Sequence, residues 1–491
     1  MEVLQISALI FVFLLMAVLM FLRKIPALLA LPLMAVMIAL IGGVRVEHVI
    51  EYVLGKGAVK LSTAYTVAMF GSMLSVILQK TGVAESFIKK GAELSGDNPW
   101  IIGVIMLALI TLLFTTLGGL GAIIMVATIV LPIMSSVGIG PMTAVGIFLF
   151  GLSIGGTLNV GNWAVYVSVM GLTVDEIRPF ALVMFSASFI GAILFITIQL
   201  YRDGQDIKFG KVLIRTLFLV LLLALLYTVY SYILPEQVRD QLIGIISITG
   251  IILKYFVGLG IIYLFVISIF RAIKTKNSGS RDVHWSAYFS PIVPLFLILL
   301  FNTDFIAAFI VGLLFAFVST YKKGRLNLFI QSVFEGGGVV MPAVVLMFGI
   351  GMLLVAIMGP GQALEAYPEG WPVLNLLKPV MLLIVPESAL TYVLVFTLAA
   401  PLALYRGPLN VWGMGYGLAA VFLASGLNPG AVMGVLLAVG QIQGISDPTN
   451  THNVWLANEM RVDVQKVLWN TLPYTWILAI IGLTFSALLF M

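Results

Sequence analysis

The sequence predicts an all-α polytopic membrane protein made of two inverted repeats, each of five transmembrane helices and a re-entrant hairpin, joined by two linker helices. Three observations predict it. Apolar stretches of about 20 residues, the length that spans a hydrocarbon core, recur from end to end. Lysine and arginine collect on one side of the membrane when the crossings are counted with two hairpins. The second half of the chain repeats the first at an offset of 288 residues.

The composition leaves little room for anything else. Of 491 residues, 61% are hydrophobic and 10% charged, with a mean hydropathy of +1.14, against roughly 25% charge in a soluble domain. With no cysteine there is no disulfide framework and no thiolate nucleophile, and three histidines (His48, His284, His452) cannot make a His cluster. The net charge of +5 comes mostly from loop Lys and Arg and implies no nucleic-acid partner.

In chain order, spans are expected at about 4–22, 25–43, 61–79, 140–165, 179–200, 213–234, 242–270, 285–301, 303–320, 330–358, 429–456 and 468–490, twelve crossings in all. The first is long, lacks a small-residue cleavage pattern and runs into a second apolar stretch, so it reads as a span and not a removed signal peptide. Two apolar regions, 99–137 and 377–425, are interrupted by "TTLGGLGA" and "YRGPLN" and read as hairpins. Counted so, 18 of the 26 Lys and Arg residues fall on one side, from Arg23 and Lys24 through Arg271, Lys274, Lys276 and Arg281 to Arg461 and Lys466. The positive-inside rule then places both termini outward, in a cytoplasmic membrane of prokaryotic type.

The repeat aligns residues 138–175 with 426–463 without a gap, and Gly138/Gly426, Pro141/Pro429, Gly146/Gly434, Gly156/Gly444, Asn162/Asn450 and Asp175/Asp463 are among eight identities. Upstream, at an offset of 278, "AMFGSMLSVI" (68–77) faces "LMFGIGMLLV" (346–355). The division expected is repeat 1 over 1–200 with its hairpin and the broken helix 140–165, a two-helix linker over 201–284, and repeat 2 over 285–491 with its hairpin and the broken helix 429–456.

Both broken helices carry dense polar groups, Gly155 to Asn159 in one and Ser446 to Asn453 in the other. Non-helical backbone at membrane depth is tolerated only inside protein or around a wet cavity, and Pro448 enforces the second break. Unwound carbonyls with Asn and Thr oxygens suit a sodium ion, and half-helix N-termini suit an anion. The expected substrate ligands are Thr116, Gly119, Thr157, Asn159, Asn162, Arg406, Asn410, Thr449, Asn450, Thr451 and Asn453. Coupling-ion residues are expected among Asn159, Ser446, Asp447, Asn450 and His452, with Asp447, Asn450 and Asn159 as sodium ligands. Alternatives stand beside these roles. Polar residues also glue membrane helices together, Asp447 suits a helix cap at the break as well as sodium or proton binding, and Arg406 either takes a carboxylate or snorkels to the surface. His452 is a proton-coupling candidate or a hydrogen-bonding wall residue. Lys254 reads as packing or interfacial, and Glu335 and Glu387 as solvated.

At "GGLGAIIMVATIVLPIMSSVGI" (118–139) followed by "FGLSIGGTLNVGN" (150–162), the sequence resembles the ion transporter superfamily, which includes divalent-anion:sodium symporters and citrate, gluconate and arsenite permeases. Gly118 to Gly121, Leu131-Pro132, Ser153 to Thr157 and, through the repeat, Asp447 to Asn453 carry the resemblance. The symporters' Ser-Asn-Thr hairpin tip is replaced here by Thr115-Thr116-Leu117-Gly118-Gly119 and Arg406-Gly407-Pro408. The resemblance implies a cation-coupled (Na+ or H+) symporter of a small organic anion, such as a di- or tricarboxylate or a sugar acid, working as a homodimer by an elevator motion. The alternative within the same superfamily is a sodium/proton antiporter. No His-Glu-x-x-His, paired carboxylates or Ser/His/Asp set points to an enzyme, and no nucleotide-binding loop to ATP. No cofactor beyond the coupling ion is expected.

Overall fold

The computed structural model describes residues 2–491 except 23, 207–209, 211–213, 215–216, 219–220, 223–224, 226–227, 230–235, 275–282, 323–325, 382–384 and 412–414. The expected span 213–234 lies largely outside the described residues, as do Arg23, Lys276 and Arg281 of the charge count. All regular structure among the described residues is helical.

The first half runs α1 (Glu2–Phe21), α2 (Ala27–Ile41), α3 (Ser62–Lys80), α4 (Val83–Ser95), α5 (Pro99–Phe114), α6 (Leu120–Ser136), α7 (Pro141–Thr157), α8 (Val160–Met170) and α9 (Val174–Arg202). Then come α10 (Glu236–Lys274), α11 (Ile292–Phe301), α12 (Phe305–Ser319), α13 (Leu326–Met358) and α14 (Pro372–Met381). The chain ends with α15 (Ala389–Ala399), α16 (Tyr416–Ala424), α17 (Pro429–Ser446), α18 (Thr451–Glu459) and α19 (Val464–Phe490).

Local chemistry fixes the helix ends that matter. Asn98 accepts from the Trp100 and Ile101 amides with Pro99 at the first helical position, and Asn428 accepts from Gly430 with Pro429 in the same place. Thr173 and Glu176 close a capping box at the head of α9. α7 and α8 meet at a bend of 47°.

Among the described residues, eight helices are long and apolar enough to cross a membrane, nine if the bent α7–α8 pair counts as one. The protein is an integral, multi-pass membrane protein. The expected count of twelve is higher because several apolar runs form shorter helices, among them α2, α11 and α12, and because the expected span 213–234 lies largely outside the described residues. The run 285–301, for example, divides into a 3-10 turn (Trp285–Phe289) and the ten-residue α11. Sequence reading also passed over α4 and the helical stretch before α3, which contains a π-helix at Val49–Lys56.

Helices that the repeat pairs pack on each other. α9 and α19 run antiparallel, with Phe180 against Phe490, Phe195 against Tyr474, and Gln199 Nε2 donating to Asn470 Oδ1 at 2.8 Å. α13 runs antiparallel to the segment that contains α3, Gly336 lying against the Met73 backbone and Gly351 against Gly57. Small residues allow such close backbone approach where there is no hydrophobic drive between helices in lipid. α10 keeps much of its apolar surface exposed, from Ile251 to Phe270, as suits a lipid-facing helix.

Candidate functional site

The first helix break is held by the amides of Asn159 and Asn162. Asn159 Oδ1 accepts from the Gly161 and Asn162 amides at 2.9 and 3.3 Å, capping α8. Its Nδ2 donates to the carbonyls of Phe114 (2.9 Å) and Leu117 (3.3 Å), in the turn between α5 and α6. An amide alone offers an acceptor on one side and donors on the other. Asn162 Nδ2 closes the break by donating to Gly156 O at 2.9 Å.

The second break uses a carboxylate at the repeat-equivalent position. Asp447 is fully buried, and its Oδ1 accepts from Tyr405 N (3.0 Å), Thr449 N (2.9 Å) and Thr449 Oγ1 (2.7 Å). Oδ2 accepts from Asn410 Nδ2 at 3.3 Å. This turn presents donors where the first presents carbonyls: the chain leaves helical geometry at Leu404 (ψ 159°) and Tyr405 (φ 54°), and the Tyr405 N–H reaches the carboxylate. An ionised carboxylate is acceptor-only and fits. Among the described residues no cation pairs with it.

Between the two breaks lies a cavity of about 390 Å³. The first break and its hairpin contribute Thr116 to Gly119, Gly156, Thr157, Asn159 and Asn162. The second contributes Gln441, Gln443, Gly444, Asn450 and His452. α3 and α13 supply a largely apolar wall, including Val67, Ala68, Val340, Ala343 and Met347. Among the described lining residues there is no Lys, Arg, Asp or Glu, and His452 is the one imidazole. Its Nε2 lies 3.3 Å from Gly444 O. Ser72 and Thr116 border the cavity, and their buried hydroxyls have no hydrogen-bond partner.

No family model matches the sequence, and no curated protein matches it. Solved structures do. The Alcanivorax borkumensis YdaH transporter aligns over 89% of this chain and 86% of its own at 13% identity, with a TM-score of 0.50. The two chains share a fold. MtrF of Neisseria gonorrhoeae, described with a class of antimetabolite efflux pumps, aligns over 88% of this chain and 84% of its own, again at 13% identity, with a TM-score of 0.44.

Within this fold the expected site residues divide into three groups. Thr116, Gly119, Thr157, Asn159, Asn162, Asn450 and His452 line the cavity. Ser446, Asp447, Thr449, Asn410 and Asn453 sit behind it as a polar scaffold. Ser446 Oγ contacts Thr471 Oγ1 (2.8 Å) and Thr475 Oγ1 (3.0 Å) on α19, and Asn453 Nδ2 donates to the carbonyls of Ile445 and Asp447. Thr451 and Arg406 are exposed and are not part of the lining. Elsewhere, Lys254 lies 5.4 Å from the Phe301 ring, Glu335 pairs with Lys80 and Glu387 is exposed.

Sequence reasoning missed Ser72, Tyr166, Tyr416, Gln441 and Gln443, all in the lining. The two glutamines carried a readable signal, as amides inside an otherwise apolar run. Ser72 and the tyrosines carried none, since nothing local says which face of their helices meets the cavity.

Proposed function

We propose that this protein is a secondary active transporter that moves a small organic anion, coupled to Na+ or H+. The observation that carries the reading is the cavity at which both helix breaks and the first hairpin turn converge. Polar unwound segments that meet across a chamber are how transporters expose backbone and amide groups to a solute. The antiparallel packing of α9 on α19, and of α13 along α3, supports two halves of opposite sense. By resemblance to the ion transporter superfamily, the working unit is a homodimer that shifts its cavity-bearing helices like an elevator, in a prokaryotic-type cytoplasmic membrane with both termini outward.

A second reading is sodium/proton antiport, favoured by the lack of a fixed positive charge in the described lining. The test is gradient-driven accumulation of radiolabelled mono-, di- and tricarboxylates and sugar acids in proteoliposomes. A symporter concentrates one of them under an imposed Na+ or H+ gradient. An antiporter concentrates none and instead moves protons against sodium, read by a trapped pH dye.

A further inference from the structure

We infer that the transported anion is a flat heterocyclic acid whose ring carries N–H donors beside carbonyl groups, as in a uracil ring bearing one carboxylate, and that Asn162 and Asn450 accept from those donors. The inference rests on the symport reading above and names its substrate class.

The two asparagines are repeat equivalents, 288 positions apart, and both line the cavity. Asn162 Nδ2 donates to Gly156 O at 2.9 Å, and Asn450 Nδ2 donates to Gln443 O at 2.6 Å. A carbonyl only accepts, so each amide is fixed with its nitrogen on the preceding half-helix and its oxygen at the other end. Neither Oδ1 has a hydrogen-bond partner among the described residues, and both stay accessible. Gln443 adds the opposite character. Its Oε1 accepts from Val411 N at 2.7 Å, which leaves Nε2 as an accessible donor beside Asn450. The polar side of the chamber thus offers two fixed acceptors and a donor.

Carboxylates alone match this pattern poorly, because they only accept. A di- or tricarboxylate would set acceptor oxygens against the asparagine oxygens, with no Lys or Arg among the described lining residues to offset them. A cyclic imide carries N–H and C=O groups on one rim and satisfies both kinds of partner. A bare cation fits less well. It needs several oxygens at once, and the break carbonyls of Thr157, Ile445 and Asp447 already accept from Trp163 Nε1 and Asn453 Nδ2.

The rest of the chamber calls for a flat ring. Val67, Val340 and Met347 of α3 and α13, with Phe114 and Phe309, bring no polar side-chain group to the lining. A polyol carries hydroxyls on every side, and some of them would lose water against this wall without gaining a partner. A planar ring keeps its polar groups on the rim, where the amides are, and turns apolar faces to the wall. Its single carboxylate is balanced by the coupling cation that the symport reading already requires.

The probes are orotate, its 1,3-dimethyl derivative, gluconate and citrate, measured on the purified full-length protein by calorimetry in sodium and in choline buffer. The dimethyl derivative keeps the ring and the carboxylate but has lost both N–H groups. Orotate is expected to bind, with 1,3-dimethylorotate, gluconate and citrate each at least roughly tenfold weaker. Asn162→Leu and Asn450→Leu should each weaken orotate roughly tenfold and leave the dimethyl derivative within about twofold of its wild-type affinity, since it makes no donor contact to lose. If a variant does not fold, the two orotates on the wild type still decide. Equal binding of the two orotates, tighter binding of gluconate or citrate, or no binding of orotate while another acid accumulates would overturn the inference and leave the symport reading standing. An Asn450→Leu variant that loses sodium dependence for both orotates alike would also overturn it, by making that oxygen a cation ligand. Failure of the whole organic-acid panel to bind or accumulate would overturn both readings.

Discussion

The Ser153 hydroxyl donates to Gln441 Oε1 across 2.9 Å, and each residue occupies the other's place in the repeat, 288 positions apart. The bond ties α7 to α17. Both residues also line the cavity, so the bond joins α7 and α17 at the chamber. Ser153→Ala and Gln441→Leu, alone and together, form a double-mutant cycle. A coupling of about 0.6 kcal/mol, with ~1.7 as an upper bound, is expected for such a bond between membrane helices, read from thermal midpoints in detergent. Zero coupling would show that the contact does not hold the halves together.

Asp447 and Asn159 should not tolerate exchange of their side-chain types. Asp447→Asn turns one acceptor oxygen into a donor facing Tyr405 N, Thr449 or Asn410 Nδ2, and should lower stability by about 1–3 kcal/mol. Asn159→Asp sets a carboxylate against the Phe114 and Leu117 carbonyls and should be more damaging still. Thermal unfolding measures both. A stable Asp447→Asn protein that has lost only its sodium dependence would instead make this carboxylate an ion ligand.

Glycine-to-alanine changes should differ in sign with position. At Gly155 a Cβ would stand 2.6 Å from Thr111 O, a backbone atom that cannot move aside, so Gly155→Ala should destabilise by about 1–3 kcal/mol. At Gly121, inside α6, nothing lies within 4 Å and φ is not left-handed. There alanine should be neutral, or stabilising by up to about 1 kcal/mol through its helix propensity. Comparing the two thermal midpoints tests how α7 is seated on α5.

Cysteine labelling separates cavity wall from scaffold. In this conformation Asn162→Cys should react with a small hydrophilic thiol reagent, because Asn162 lines the chamber, while Ser446→Cys, 1% exposed, should stay protected. Fast labelling at position 446 would place water behind the second break and enlarge the site.

Arg406→Lys should leave uptake within about twofold of the wild type, since an exposed side chain that keeps its charge loses no bidentate partner. A large drop in affinity with normal stability would bring Arg406 to the substrate in another conformation.

The sequence by itself determined the membrane class, the all-helical fold and the helix breaks within 155–159 and at Asp447-Pro448. Hydropathy, proline and the polar clusters are properties of neighbouring residues, and short-range chemistry fixes what they encode. It also flagged Asn159 against Asp447 as the informative asymmetry. Tertiary structure decided what that asymmetry means, since only the packed hairpin turns show carbonyls at one break and an inward N–H at the other. Tertiary structure likewise moved Arg406 and Thr451 out of the lining and brought in Ser72 and Tyr416 from helices remote in sequence, with Tyr166 from the far side of the first break's own helix. A cavity wall is a surface shared by segments far apart in the chain, and which face of an apolar helix turns toward it is settled by the neighbours against which that helix packs, not by its own periodicity.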